Sequence, residues 1–395
     1  MKIIVIGTID NKGGAAQISW ELRKRLKADG HSVSTFVRYR FSNEPDVFAI
    51  PRKRYQDWLV KLFANDLRFA RTGYIFDTKE YKEADIVHCH NLHSNFFDLK
   101  DLVRMSREKP VVWTIHDLWA ITGFANDSAT LRHPNKKRFL LYLWDRTAAL
   151  FRAKKKIYEK SRLRVVAVSD WLKREIEKSI LGHQEITKIY NGVDTTMFAL
   201  RDRNTARAEL GLPADKKIIG FGLKGLGSSI KLMESFHGRN DVHFAAIGHD
   251  HIPARSNLTS FGFVAGKERM AKILSALDIF FYPTQGDTFG LIAAEAQACG
   301  TPVVTYAVDA LPEVVAHEET GYITEAENVE DAKAGIDRML DLSKTERETM
   351  SKKARERVRN LFDVERMYRE YISLYERAIK EKDSPFSGQG LRKKG

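Results

Sequence analysis

The feature that constrains this chain most is its rhythm: short apolar runs alternate with amphipathic stretches through both halves. That alternation belongs to layered α/β architectures, in which parallel strands are buried beneath helices. In the first half Ile3–Ile9, Val33–Val37, Ile86–His90, Val111–His116 and Arg164–Val168 read as strands, and Ala16–Ala28 reads as a helix. In the second half strands are expected at Lys217–Leu223, His243–Ile247, Leu258–Phe261, Ile279–Thr284 and Pro302–Tyr306. Helices are expected around Ile230–Phe236, Lys267–Leu277, Phe289–Cys299 and Val329–Leu342. The pattern predicts two doubly wound parallel-sheet units in tandem. With 395 residues, each has enough chain to bury its own core.

The break between units is expected near 191–213, where the turn dipeptide Asn191-Gly192 precedes the polar run Arg201–Asn204 and Gly211-Leu212-Pro213. This gives an N-terminal unit over 1–195 and a C-terminal unit over 200–360. A long amphipathic helix over Asp363–Lys380 carries Met367, Tyr371, Leu374 and Tyr375 on one side. The polar tail 383–395 is expected to be disordered.

Composition narrows the function classes. Two cysteines, Cys89 and Cys299, cannot build a disulfide framework or a Cys-rich zinc module, so a reducing, cytoplasmic setting is expected. No apolar run approaches the ~20 residues of a membrane-spanning helix. The net charge of +13 is divided unevenly: residues 1–200 hold 36 Lys and Arg against 23 Asp and Glu, and residues 201–395 hold 29 of each. A basic first half suits a polyanionic partner or a phosphorylated substrate. The surplus concentrates in Arg52–Arg71 and Arg132–Lys156, where bases interleave with Trp, Phe and Leu. Such stretches fit an interfacial helix on anionic lipid and equally fit core residues beneath a solvated charged face. No helix-turn-helix, zinc-finger or RNA-binding signature accompanies the charge, so nucleic acid is not the expected partner.

The most specific segment runs from Pro283 through Asp287, Phe289, Gly290, Leu291 and Glu295 to Val304. A strand ends, a Gly-containing turn follows, and a helix opens near Phe289, leaving free N–H groups and a positive helix end at the sheet edge. Asp287 and Glu295 can accept hydrogen bonds from sugar or ribose hydroxyls. On physical grounds alone, Asp287 capping the helix with Glu295 exposed is equally acceptable. His116, at a strand end beside Asp117, is either a cleft imidazole or a satisfied core histidine. Asn11-Lys12-Gly13-Gly14-Ala15-Ala16 opens the first helix as an anion-accommodating loop or an ordinary tight turn, and it is not a Walker or Gly-x-Gly-x-x-Gly loop. Gly248-His249-Asp250-His251 reads as a strand-end turn, so no metal site is expected.

Asp287-x7-Glu295 within Asp-Thr-Phe-Gly-Leu…Glu-Ala…Ala-Cys-Gly-Thr-Pro-Val-Val resembles the donor-site motif of the retaining GT-B glycosyltransferases of family four. In the same order, Thr114–Gly123 resembles that family's His-Asp signature, Val166–Leu172 its strand–Ser–helix step, and Ile189–Phe198 its interdomain Asn-Gly-Val-Asp segment. With Thr320–Ile323, the resemblance covers about residues 3 to 380. It implies two Rossmann-like domains facing a cleft, with the C-terminal helix crossing back to the first. It implies retaining, metal-independent transfer of a sugar from a UDP- or GDP-sugar, with no cofactor, to a lipid-linked or oligosaccharide acceptor. The implied setting is bacterial surface polysaccharide (lipopolysaccharide or capsule) assembly at the cytoplasmic membrane face, which favours the anionic-lipid reading of the basic half.

By the same resemblance, Glu295 binds the nucleotide ribose, and Asp287, in place of the more usual Glu, holds donor-sugar hydroxyls. The amides around Phe289, Gly290 and Leu291 meet the diphosphate, His116 lies beside the transferred sugar, and Gly13, Gly14 and Asn191 border the donor. The family's Arg/Lys diphosphate clamp is altered here: Gly220–Lys231 offers Lys224 and a Gly/Ser run that can form an anion nest. That departure keeps open a non-catalytic nucleotide-sugar-binding subunit, beside a GT-B epimerase or phosphorylase.

Overall fold

β1 (Lys2–Ile9) shows why the first sheet forms where it does: Ile3, Ile4, Val5 and Ile6 are all buried, as a central parallel strand covered on both faces requires. Around it lie β2 (Ser32–Tyr39), β3 (Val47–Ala49), β4 (Ile86–Cys89), β5 (Val111–Ile115), β6 (Arg164–Ala167) and β7 (Glu185–Lys188). The computed structural model describes residues 1–51, 55, 58, 67, 70–123, 125–128, 130, 147–222, 224–248, 252, 253 and 255–382. Among these, the chain divides into two units, 1–190 with the residues from Met367 onward, and 191–366.

In the first unit the strand order is β3-β2-β1-β4-β5-β6-β7, parallel throughout. The chain winds outward from β1 to one edge, then returns to place β4 on its other side. The switch point therefore lies between the carboxyl ends of β1 and β4, where a doubly wound sheet offers its ligand crevice. The second unit repeats the plan with β8 (Lys217–Phe221), β9 (Val242–Ala246), β10 (Leu258–Ser260), β11 (Ile279–Tyr282), β12 (Val303–Tyr306) and β13 (Gly321–Thr324). Its order, β10-β9-β8-β11-β12-β13, puts the switch point between β8 and β11.

The expected strands and helices are all present, with ends displaced by a few residues. Three strands escaped the reading. β3 has three residues, β7 is a half-buried Glu-Ile-Thr-Lys edge, and β13 opens on a glycine. The helix Lys344–Leu361 was missed because its sequence is almost wholly polar, although its Ser343/Glu346 capping box is a legible start signal. In the second unit Asp278 is a hub. Its carboxylate takes Arg207 at 2.6 Å, Arg203 at 3.1 Å and the Ile218 amide at 2.7 Å, with Arg207 and Asp278 both buried.

The C-terminal helix Val364–Lys380 returns to the first unit from Met367 onward. Met367, Tyr371, Leu374 and Tyr375 are buried, which is the side the sequence singled out. The Tyr371 hydroxyl meets Thr114 Oγ1 at 2.8 Å, and Tyr375 meets His88 Nδ1 at 2.5 Å. The tail 383–395, most of Arg52–Arg71, residues 132–146 and His249–His251 lie outside the described residues. Within the second basic stretch Lys154 is a correction to the surface reading. It is fully buried, donating to the Trp119 and Thr122 carbonyls, with its ammonium 3.6 Å from the Trp119 ring centre. Burying an ammonium needs such acceptors, and they remove it from any lipid-facing charge. No helix among the described residues is long and apolar enough to cross a membrane.

Candidate functional site

The second unit assembles its site from the loops after β8 and β11. Gly225 makes their close approach feasible. Its φ is +76°, and a Cβ there would lie 2.0 Å from the Pro283 carbonyl oxygen, so a side chain would force the loops apart. This brings Lys224 Nζ 2.7 Å from Asp287 Oδ2, which also accepts from the Tyr282 hydroxyl at 2.7 Å. Asp287 Oδ1 accepts the Phe289 amide at 3.2 Å and the Gly290 amide at 3.0 Å. Burial pushes the Asp287 carboxyl up, but Lys224, Tyr282 and the Phe289 amide outweigh it and hold the group below its ordinary value.

One expectation changes. The Phe289 and Gly290 amides are not offered to an anion, because the carboxylate of Asp287 caps them as the turn tightens into the helix Leu291–Ala298. The first-turn amides left without a partner among the described residues are those of Leu291 and Ile292. Phe289 contributes its ring to the core, edge-on to Phe362 at 5.4 Å. Tyr282, invisible as a site residue in the sequence because it ends an apolar strand, is the buried group that fixes Asp287.

Glu295 is 9% exposed, and its side-chain carboxyl accepts no hydrogen bond among the described residues. Burial raises its carboxyl to about 7, with Lys267 only partly opposing. The alternative of an exposed Glu295 is therefore removed. A buried, unpaired carboxyl one turn beyond open helix amides is poised to accept hydroxyl donors. Asn191 is buried at the start of this unit, and among the described residues no hydrogen bond ties its side chain to the Asp287 group.

The first unit builds its site at the β1/β4 switch point. Gly13 has φ +89° with no atom within 4 Å of where a Cβ would sit. The start of the helix Gly14–Ala28 accordingly has open space and no side-chain cap. A cavity of about 230 Å³ is lined there by Gly7, Lys12, Gly13, Gly14, His90 and His93, among others. Asp10 braces the loop by accepting the amides of Asn11, Phe41 and Ser42.

His116 follows β5 and is 9% exposed. Its Nε2 lies 2.9 Å from His90 Nδ1, the two rings stacked at 17°. Burial lowers the His116 imidazole to about 4; Asp117 resists and His93 adds to the fall, so the ring is neutral near pH 7. Asp117 orients the following loop by capping the Trp119 amide at 2.9 Å and pairing with His93 Nε2 at 3.1 Å. Sequence reading singled out His116 and Asp117 and missed His88, His90 and His93. The available signal was the period of two in His88-Cys89-His90, which puts both imidazoles on one face of β4. Among the described residues no group of three or more His, Cys, Asp or Glu is placed to hold a metal ion.

Two parallel α/β units, each with polar groups and an open helix N-terminus at its switch point, define the GT-B class of nucleotide-handling folds. Solved structures agree on the fold. The chain superposes on sucrose-phosphate synthase from Thermosynechococcus elongatus with a TM-score of 0.72 at 20% identity, covering 96% of this chain and 100% of that one. It superposes on Anabaena HepE in complex with UDP-glucose with a TM-score of 0.69 at 16% identity, covering 95% and 100%. A family model described as Glycosyltransferase Family 4 matches residues 12–197, and one described as Glycosyl transferases group 1 matches residues 203–357. The chain belongs to this family of group 1, family 4 glycosyltransferases. A relative, D-inositol 3-phosphate glycosyltransferase from Mycobacteroides abscessus, is 33% identical over 169 residues, 38% of each chain. The first relatives are matched over only 38% and 61% of their own length.

Proposed function

We propose that the protein transfers a glycosyl group from a nucleotide-diphosphate sugar to a hydroxyl acceptor. The observation that carries this reading is the β8/β11 switch point. There a buried, unpaired Glu295 carboxyl, the open amides of Leu291 and Ile292, and the ammonium of Lys224 offer one acceptor for a ribose and cationic partners for a diphosphate. UDP-glucose in the Anabaena neighbour supports a uridine donor, with a GDP-sugar as the competing choice. Asp287 serves the donor through Lys224 and the turn it caps, and its sugar-hydroxyl role requires Lys224 to move away.

Catalysis in this reading is positioning plus electrostatic support of the departing diphosphate by Lys224 and the helix end, without a metal ion. His116, neutral at working pH, supports the reacting sugar as a hydrogen-bond partner and not as a charge. The configuration is retained, and the acceptor is a lipid-linked or oligosaccharide hydroxyl in surface polysaccharide assembly, with the protein cytoplasmic and peripheral to the membrane. The altered clamp favours one second reading, a subunit that binds a nucleotide sugar without turning it over.

The deciding experiment is thermal-shift and calorimetric screening of UDP- and GDP-sugars, followed by product analysis by NMR with candidate acceptors. Donor binding with an acceptor-dependent product of retained anomeric configuration is expected. Binding without transfer or hydrolysis selects the second reading, and absence of binding to every nucleotide sugar overturns both. Flotation with anionic vesicles tests the peripheral placement, with salt-sensitive binding expected.

A further inference from the structure

The three buried histidines of the first unit do not share their hydrogen bonds evenly. His88 has both ring nitrogens occupied: Nδ1 meets Tyr375 at 2.5 Å, and Nε2 meets Thr114 Oγ1 at 2.8 Å. Its ring lies 4.1 Å from that of His90 without a hydrogen bond between them. His90 is 3% exposed, and among the described residues its side chain has one hydrogen bond, from Nδ1 to His116 Nε2 at 2.9 Å. Among the described residues His90 Nε2 is buried with no partner. The backbone holds the ring in place from both sides, because the His90 amide donates to the Ile6 carbonyl at 2.9 Å and its carbonyl accepts from Trp113 Nε1 at 2.8 Å.

The unpartnered nitrogen decides where the proton sits. If His116 Nε2 donated to His90 Nδ1, neutral His90 would have to carry its own hydrogen on Nε2, as a buried N–H with no acceptor. If His90 Nδ1 donates, Nε2 is left as a bare lone pair. Buried donors without acceptors are rarer than buried acceptors without donors. The second arrangement is therefore favoured, and it leaves His116 with Nε2 as acceptor and its own hydrogen on Nδ1. Burial, which keeps all three imidazoles neutral, is consistent with this count of protons.

We propose that His90 is a positioning residue: by donating its Nδ1–H to His116 Nε2 it locks His116 as the Nδ1–H tautomer. The one ring proton of neutral His116 is then on Nδ1, in a fixed ring orientation. The catalytic meaning of that lock rests on the transferase reading above, but the tautomer itself does not. A structural histidine would need no such pairing. An apolar side chain at this position would fill the core without leaving a polar atom unmatched.

The test uses the full chain with ¹⁵N-labelled histidine. In wild-type protein the His116 signals should report Nδ1 protonated and Nε2 accepting. His90→Asn, whose amide N–H falls close to the place of Nδ1–H, should keep that tautomer. His90→Leu should release it, shifting His116 toward the Nε2–H form. With a nucleotide-sugar donor, His90→Leu should lower kcat at least tenfold with KM within about twofold, and His90→Asn should recover most of kcat. An Nε2–H His116 in wild-type protein, or an unchanged tautomer in His90→Leu, overturns the proposal. If His90→Leu does not fold, the wild-type and His90→Asn tautomers still decide. If no nucleotide sugar is turned over by wild-type protein, the transferase reading fails while the NMR result stands.

Discussion

Replacing Glu295 by Gln sets binding against stability in a way that can be calculated. The Glu295 carboxyl is 9% exposed and sits at about 7, against an ordinary value of 4.5. Because the folded state holds the proton more tightly than the unfolded chain, ionisation opposes folding. The penalty is fully present above the folded value and fades as pH falls through it toward 4.5. At 1.36 kcal/mol per unit, the difference amounts to about 3 kcal/mol near pH 8 and less than about 1 kcal/mol near pH 5. Glu295→Gln removes the ionisable group and keeps the shape. It should therefore raise the unfolding temperature by several degrees near pH 8 and by little near pH 5.

The same variant should bind a nucleotide sugar roughly ten- to a hundredfold more weakly, because hydrogen bonds to a charged acceptor contribute about 1.5–3 kcal/mol. Wild-type affinity should also fall about tenfold from near pH 8 to near pH 6, as the carboxylate is protonated through its value of about 7. Glu295→Gln should flatten that dependence. Scanning fluorimetry across pH and calorimetry with UDP-glucose measure the two effects. An equal stability gain at both pH values, or none at the higher one, would refute the placement of a strained, unpaired carboxyl at this position.

His116→Ala should leave the protein folded and cut transfer by about two orders of magnitude or more, read as product formed per enzyme; near-full turnover would remove its role. Lys224→Met should weaken nucleotide-sugar binding about tenfold and flatten its salt dependence, with an unchanged titration curve counting against a diphosphate contact. Tyr375→Phe deprives His88 Nδ1 of its hydrogen-bond partner in a fully buried site and should destabilise the first unit by about 1–3 kcal/mol in urea unfolding. Asp278→Ala strands the buried Arg207 guanidinium and should destabilise the second unit by about 3–5 kcal/mol, whereas an exposed pair would show under 1 kcal/mol.

The parallel layout was legible because buried strands such as β1 and β11 are nearly pure apolar runs, with little to confuse them with helices. β7 and β13 were not, since an edge strand of alternating charge and a strand opening on glycine lack that run. Asp287, Glu295 and His116 stood out because they are polar residues punctuating apolar segments. What the sequence left undecided was the environment of each. Whether Asp287 faces amides or open solvent depends on the loop bearing Lys224, 63 residues away in the chain. The burial of Glu295 and the partner of His90 are likewise settled by packing, and packing is not written in local spacing. Tyr282 and His88 were hidden for the opposite reason: inside apolar runs they resemble ordinary core residues.

The order in which the ribosome delivers this chain has a bearing on the C-terminal helix. His88 and Thr114 emerge early, but the hydroxyls of Tyr375 and Tyr371 that complete them are synthesised more than 250 residues later. Until then the nascent first sheet holds an imidazole and a hydroxyl awaiting their partners, while the whole intervening lobe is free to fold. Synthesis of the C-terminal helix thus closes the first unit last, and a chain stopped before Met367 would carry that gap permanently.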